Sequence, residues 1–589
     1  MMIERKPRFR LLSGGFAACS ILLGGASLTS AYDERLHLCD HSEDPAACAG
    51  AAHEKIERLN QSLRGPFMAM VDVPLWSGLG DLTFPVTADS PIAQRYFDQG
   101  LKLAYGFNHA EAARSFRRAQ QIDPSCAMCY WGEALVLGPN INAPMDDAAV
   151  GPAFAALTKA QKLAAGTTKR EQALIAALEK RYAPVLTADR AALNEAYANA
   201  MIMAAAAFPA DDDIAVLGAE AMMDVSPWDY WEAGGAKPKA RTAEILRLLD
   251  GVLARNPDHP GAIHLYIHTV EASDRPERAE PFADRLPDLM PSAGHLVHMA
   301  SHTYYRLGRY ADSIIVNNAA VAADEMLFAR TDASDLYRYG YYTHNIHFAM
   351  VSAQMSGDGE TVVAMAQKLQ LALPDSKAGM APWMQPIKAA PYFGHAQFSD
   401  SVLILSLPEP AADLPYVRAM WRYARAIAQV HRRELAAAAR EADAIGDLER
   451  AADFSGLMAG GVPAADLLTL ARHVIAGRIA QAKEDYQTAA AEFTAAIAIE
   501  DRLPYMEPPF WYYPVRQSLG ATLLLAQEPA EAAAVFRESL KRAPNNGWAL
   551  YGLREAHKDM GDNAGVSEAD EQFRRAWSGD RGPLTLSRL

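Results

Sequence analysis

After its first thirty or so residues the chain has no apolar run long enough to cross a bilayer, so a membrane span is not expected. It has no Gly-rich phosphate loop, no nucleophile elbow and no His-Glu-x-x-His motif, which removes the common sequence signatures of nucleotide binding, serine hydrolysis and zinc proteolysis. Basic residues are also in short supply, with 56 Lys and Arg against 71 Asp and Glu. A chain this acidic is a poor partner for nucleic acid or an anionic membrane surface. What it has in plenty is Ala and Leu within a composition that is 50% hydrophobic and 22% charged, a mixture that suits helix better than sheet.

The N-terminus reads as an export signal over residues 1–31. Arg5, Lys6, Arg8 and Arg10 form a basic start, Leu11 to Leu28 is apolar and small, and Thr29-Ser30-Ala31 offers small residues for cleavage. Lipidation at Cys19 is the competing reading, and Phe16 is a poor residue for that signal. Cleavage after Ala31 removes four basic residues and one acidic one, leaving 52 against 70 and a net charge of −18. The expected destination is the periplasm or the exterior. Four of the five cysteines remain there. Cys39 and Cys48 bracket a short acidic loop and are expected to form a disulfide. Cys126-x-x-Cys129 is followed by Tyr130 where haem attachment needs His. That pair fits either a local disulfide or two small buried thiols.

Residues 32–89 carry scattered Gly and Pro without a sustained period and read as an N-terminal extension. From Ser90 the pattern changes. Tyr96, Gly100, Ala112, Phe116, Ala119 and Pro124 fall at places 4, 8, 20, 24, 27 and 32 of a 34-residue unit. Gly477, Tyr486, Ala489, Phe493 and Ala496 repeat the pattern, as do Gly520, Ala532, Phe536 and Pro544. This resembles the tetratricopeptide repeat, in which large and small residues alternate so that two antiparallel helices interlock. The expected fold is therefore all-α, a solenoid of helical hairpins over residues 90–589, with insertions near 325–342 and 374–390 and degenerate repeats near 151–208.

The phrases Phe107-Asn108-His109-Ala110-Glu111-Ala112, Cys129-Tyr130-Trp131-Gly132 and Gly138-Pro139-Asn140-Ile141-Asn142, with a His-rich middle, narrow the resemblance. The chain is similar to a family of secreted bacterial tetratricopeptide repeat proteins of undefined activity. That resemblance implies fold and export, and hardly anything about function.

Seven of the sixteen histidines lie between residues 264 and 347. His264-x3-His268-x2-Glu271, His295-x2-His298-x3-His302 and His344-x2-His347 advance by steps of three and four. On a helix such steps keep side chains within about 60° of one another. Registering the repeats puts these residues at places 2, 5, 9 and 12 of consecutive units. In the tetratricopeptide family those places face the concave groove. Residues 260–360 are thus expected to aim His264, His268, Glu271, His295, His298, His302, His344 and His347 at one hollow.

A lone His in such a groove is most often solvated or hydrogen-bonded in the core. Three stripes in phase point instead to a transition metal, because His is the commonest metal ligand and His-x3-His presents two nitrogens to one ion. Copper and zinc suit imidazole-rich sites, and iron would suit two histidines with Glu271. Seven imidazoles exceed one tetrahedral shell, so either one ion has outer histidines or two ions share the hollow. The function expected is an exported metalloprotein, with hydrolytic or oxidative enzyme chemistry open to it and a small molecule or peptide as the groove ligand. The competing function is a non-enzymatic scaffold that binds peptides or partner proteins along an open groove, with its histidines spread out. The Tyr- and Asp-rich insertion at 325–342 is a candidate lid. Trp131 and His395 are candidate neighbours of the site, whereas His109, His431, His473 and His557 lie off the stripe. The clusters at Pro227–Trp231 and Phe510–Pro514 read first as helix packing, with pocket lining as the other reading.

Overall fold

The computed structural model of the chain describes residues 73–185, 188–580 and 584–589. The candidate leader, with Cys19, and the Cys39–Cys48 pair lie outside the described residues. The repeats fall within one compact unit, Leu75–Leu589. Regular structure among the described residues is helical, with only isolated bridges at Asn140–Ala143 and Trp231–Pro238.

The helices that build the central site are α1 (Pro91–Tyr105), α2 (His109–Ile122), α3 (Ala127–Val136), α4 (Pro260–Val270), α5 (Gly294–Arg306), α6 (Tyr310–Phe328) and α7 (Tyr342–Ser356). Each packs on its sequence neighbours as one half of a hairpin, and the other helices of the chain continue the same stacking. The fold is an all-α stack of helical hairpins.

The repeat signature has a steric cause. Phe116 of α2 is fully buried between α1 and α3. A Cβ on Gly100 would stand 2.7 Å from its ring, and one on Gly132 2.4 Å. No side chain fits at either place while the ring is there, so the large residue dictates the two glycines. Gly477 against Phe493 repeats the arrangement, as do Gly520 and Gly552 against Phe536. Burying each such ring stabilises its hairpin by roughly 1.5–3 kcal/mol.

Local signals set the helix starts. Asn108 caps α2 by accepting from the Glu111 amide. Pro260 opens α4, and the Nδ1 of His259 accepts from the Ala262 amide at 3.2 Å. Cys126 and Cys129 form a local disulfide at the start of α3, which resolves the alternative of two free thiols.

The groove is not open along its length in the way the scaffold reading would have it. Distant segments of the unit meet: α4 packs on α1, and α7 packs on the helix Gly547–Asp559. Trp548 Nε1 donates to the Gln354 carbonyl at 2.7 Å, and Asn545 Nδ2 donates to the Gly308 carbonyl at 3.2 Å. Arg114 donates to the Asp332 carbonyl at 2.9 Å. The stack curls tightly enough that residues far away in sequence cover the inner faces of α4, α5 and α7.

Candidate metal centre

His264 and His268 stand on α4, with Glu271 directly after its last turn. His295, His298 and His302 stand on α5, and His344 and His347 on α7. Six of these histidines and Glu271 converge. Ligand atoms of His264, His268 and His295 lie within 4.8 Å of one another, as do those of His298, His302 and His344, and those of His268, Glu271 and His302. All but His344, which keeps some solvent access, are buried. His347 belongs to none of the three groups. Its ring packs edge-on to Tyr512 at 5.1 Å, and neither of its nitrogens has a hydrogen-bond partner.

The hydrogen bonds around the cluster decide which nitrogen of each ring is free. His264 Nδ1 lies 2.6 Å from the Tyr105 carbonyl, which can only accept, so Nδ1 carries the proton and Nε2 the lone pair. His268 and His302 donate from Nδ1 to the two oxygens of Glu271, at 2.8 and 2.5 Å. His298 Nδ1 meets Asn317 Oδ1 at 2.6 Å. The Asn317 amide is oriented by its own NH2 group, which donates to the Ser313 carbonyl at 2.7 Å. Four rings therefore turn Nε2 lone pairs inward. His298 and His302 bring theirs to 2.9 Å, and the Nε2 atoms of His264 and His295 are 3.2 Å apart. His268 Nε2 is buried with no partner.

The lone pairs of His298 and His302, facing at 2.9 Å, repel unless a cation lies between them, whereas His295, whose Nδ1 has no partner, is free to carry its proton on Nε2 and donate it to His264. Two nitrogens bound to one tetrahedral ion at 2.0–2.1 Å stand about 3.3 Å apart. A proton serves this purpose poorly, because burial pushes His264, His268 and His302 down to about 3 and holds His295, His298 and His344 well below the usual imidazole range. The rings are neutral at neutral pH, the form that binds metals.

Aromatic rings wall the cluster. Phe107 packs on His264 at 4.4 Å and His295 at 5.6 Å, Tyr341 on His295 at 4.7 Å, and Phe348 on His302 at 4.8 Å. Trp228, 41% exposed, meets His268 edge-on at 5.1 Å. Phe107 (φ 52°) and Trp228 (φ 65°) both hold left-handed backbone conformations, costly for bulky residues and frequent at functional sites. Below Glu271, Tyr505 reaches the carboxylate at 3.4 Å and also bonds to Glu507, whose carboxyl is pushed up to about 8 by burial and the neighbouring Glu271. Arg306 lies against the same group, donating to the Glu271 carbonyl.

Other sequence expectations fare unevenly. The 325–342 insertion does cover the cluster, since a π-helical turn at Leu336–Tyr341 sets Tyr341 over His295. Trp228 lines the site instead of serving only helix packing. Trp131 does not reach it: the ring is fully buried and donates to the Leu174 carbonyl. His395 is also apart, bonded to Ser399 at 2.9 Å. Phe107, Asn317, Tyr505, Glu507 and Arg306 were not singled out as site residues by sequence. Phe107 and its positive φ belong to the Phe107-Asn108-His109 phrase, and Tyr505 and Glu507 to a segment crowded with Pro and aromatics, the only signals available.

No family of known sequences matches the chain, and no curated protein is significantly similar to it. Solved structures of helical-repeat proteins do align. The human IFIT1 dimer with m7Gppp-AAAA is 12% identical, with 83% of this chain and 95% of that one covered and a TM-score of 0.32. The P58(IPK) TPR domain is 11% identical over 80% and 98%, with a TM-score of 0.21. Naa15/Naa10 bound to HypK-THB is 13% identical over 84% and 90%, with a TM-score of 0.19. Likeness at this level says nothing of ligand or partner. No described helix is long and apolar enough to cross a membrane.

Proposed function

We propose that this chain is an exported helical-repeat metalloprotein that holds a transition metal through the Nε2 atoms of its buried histidines. The observation that carries the reading is the commitment of Nδ1 on His264, His268, His298 and His302 to fixed acceptors, which leaves opposed lone pairs inside the cluster. Metal-ligating histidines are oriented in this way by carboxylates and carbonyls. A scaffold with a peptide groove would spread its imidazoles along an open surface, and convergence within 4.8 Å favours metal over that reading. All-imidazole donors suit copper or zinc, and Glu271 as a direct ligand would bring iron into range. Three imidazoles per ion leave a position for water or dioxygen, the opening that hydrolytic or oxidative chemistry would use. Export is supported by the basic and then apolar N-terminal segment and by the Cys126–Cys129 disulfide, a bond that persists in oxidising compartments.

The test is elemental analysis of untagged protein lacking residues 1–31, after reconstitution with copper, zinc or iron(II) and desalting. The wild type should retain metal that the His298→Ala/His302→Ala double variant loses. A wild type that retains none of the three would sink the proposal.

A further inference from the structure

The six converging histidines divide into two groups, and the division is geometric. His264 and His295 oppose their Nε2 atoms at 3.2 Å, with His268 completing one triad. His298 and His302 oppose theirs at 2.9 Å, with His344 completing the other. The two close pairs share no residue, and each has the spacing of a chelate around its own ion. One tetrahedral ion would leave at least two of the six rings unligated.

The triads also abut. His268 of the first lies 5.5 Å from His302 of the second, ring centre to ring centre, and His295 lies 5.8 Å from His298. Glu271 ties them together, since one oxygen accepts from His268 and the other from His302. A single carboxylate thus orients one ligand of each triad. Glu507, linked to Glu271 through Tyr505, adds a second buried carboxyl group on the same side. Glu271, held between the two triads, is where anionic charge is needed if the ligands themselves are neutral and the ions are not.

We infer that the centre is dinuclear: one transition-metal ion on His264, His268 and His295, a second on His298, His302 and His344, and a small bridging oxygen ligand such as hydroxide between them. This rests on the reading of the cluster as a metal site and adds the number of ions, their ligand sets and the class of molecule that reaches them. Two-metal sites keep their ions about 3.5–4 Å apart, close enough for one oxygen atom to span. Phe107, Tyr341, Phe348 and Trp228 wall the two triads, so only a ligand of few atoms fits the proposal. Of the six histidines only His344 is not fully buried, and the proposal has the ligand enter from its side.

The experiment is titration of metal-free protein with Cu(II), followed calorimetrically and by electron paramagnetic resonance. The wild type should bind two ions per chain, with a resonance intensity below half of the copper present, because a bridging hydroxide couples the two spins. His295→Gln and His344→Gln, made separately and checked for native circular dichroism, should each bind one ion with full intensity. Saturation of the wild type at one ion would overturn the dinuclear inference while leaving a metal site intact, and so would two ions at full intensity. Neither result depends on the variants folding. A wild type that binds none of copper, zinc and iron(II) would overturn the metal reading as a whole.

Discussion

Glu271 and His302 belong to neighbouring repeats, 31 residues apart, and one carboxylate oxygen of Glu271 accepts the Nδ1–H of His302 at 2.5 Å. The other oxygen accepts from His268 at 2.8 Å. Glu271 caps the end of α4, so a residue that terminates one inner helix also fixes a ring on the next. The contact sits on a hairpin interface, and any loosening of the stack there would be felt as a turned imidazole.

Glu271→Gln should therefore weaken metal binding by about 10- to 100-fold, the usual effect of removing an orienting partner. A glutamine has one carbonyl oxygen to accept with, and its NH2 group would face one Nδ1–H donor against another. One of the two histidines must then flip or lose its bond. Competition with a chelator of known affinity measures the loss, and an unchanged affinity would place Glu271 outside the function of the centre.

The histidine stripes were legible because a helix repeats its face every three or four residues and the repeat unit carries that face forward in register. His264, His268, His295, His298, His302 and His344 needed nothing more. His347 stands the same three-residue step from its neighbour as His298 does from His295, yet its ring packs edge-on against Tyr512, a contact from a distant segment that the stripe does not encode. The enclosure was not legible. Tyr505 meets Glu271 across 234 residues, and Phe107 meets His264 from the first repeat. No local period encodes how tightly a stack of hairpins curls. Small angles accumulated between hairpins decide it, which is why a pattern that places residues on a concave face does not say how far that face is covered.

Asp324 gives a pH dependence of definite sign. It is buried on α6, accepts from Tyr337 at 2.9 Å and Asn345 at 2.8 Å, and burial pushes its carboxyl up to about 7. The folded chain thus holds a proton that the unfolded chain releases near pH 4, so this group's stabilisation is full below pH 4 and is lost as pH rises toward 7. Asp324→Asn should remove that slope, about 1.4 kcal/mol per pH unit across the window. The substitution is tolerable because Asn345 has an unpartnered amide oxygen that can turn to accept from the new NH2 group. Urea midpoints at pH 5, 6 and 7 should fall less steeply for the variant than for the wild type, allowing for whatever slope other groups contribute to both. Parallel curves would refute the assignment.

The interlock around Phe116 predicts a coupled pair of substitutions. Gly132→Ala drives a Cβ into the Phe116 ring and should destabilise the N-terminal repeats by about 1–3 kcal/mol. Phe116→Leu alone should also destabilise, by leaving space between α1 and α3. Combined, the two should cost less than their sum, because the smaller side chain makes room for the methyl group. A double-mutant cycle in urea reads this directly, and strict additivity would mean that the two residues are not in contact.

His347 separates membership of the centre from mere proximity to it. Its two nitrogens are buried without hydrogen-bond partners, a situation that costs roughly 1–3 kcal/mol per group. A metal ligand would justify such a cost, but His347 lies in none of the convergent groups. His347→Leu should therefore leave the metal content at the wild-type value and the melting temperature unchanged or raised, since a leucine fills similar space against Tyr512 without stranding a polar atom. The same substitution at His298 should abolish binding at its triad. If His347→Leu loses metal as His298→Leu does, then α7 must rotate on metal binding to bring both of its histidines inward, and the ligand set would grow to seven.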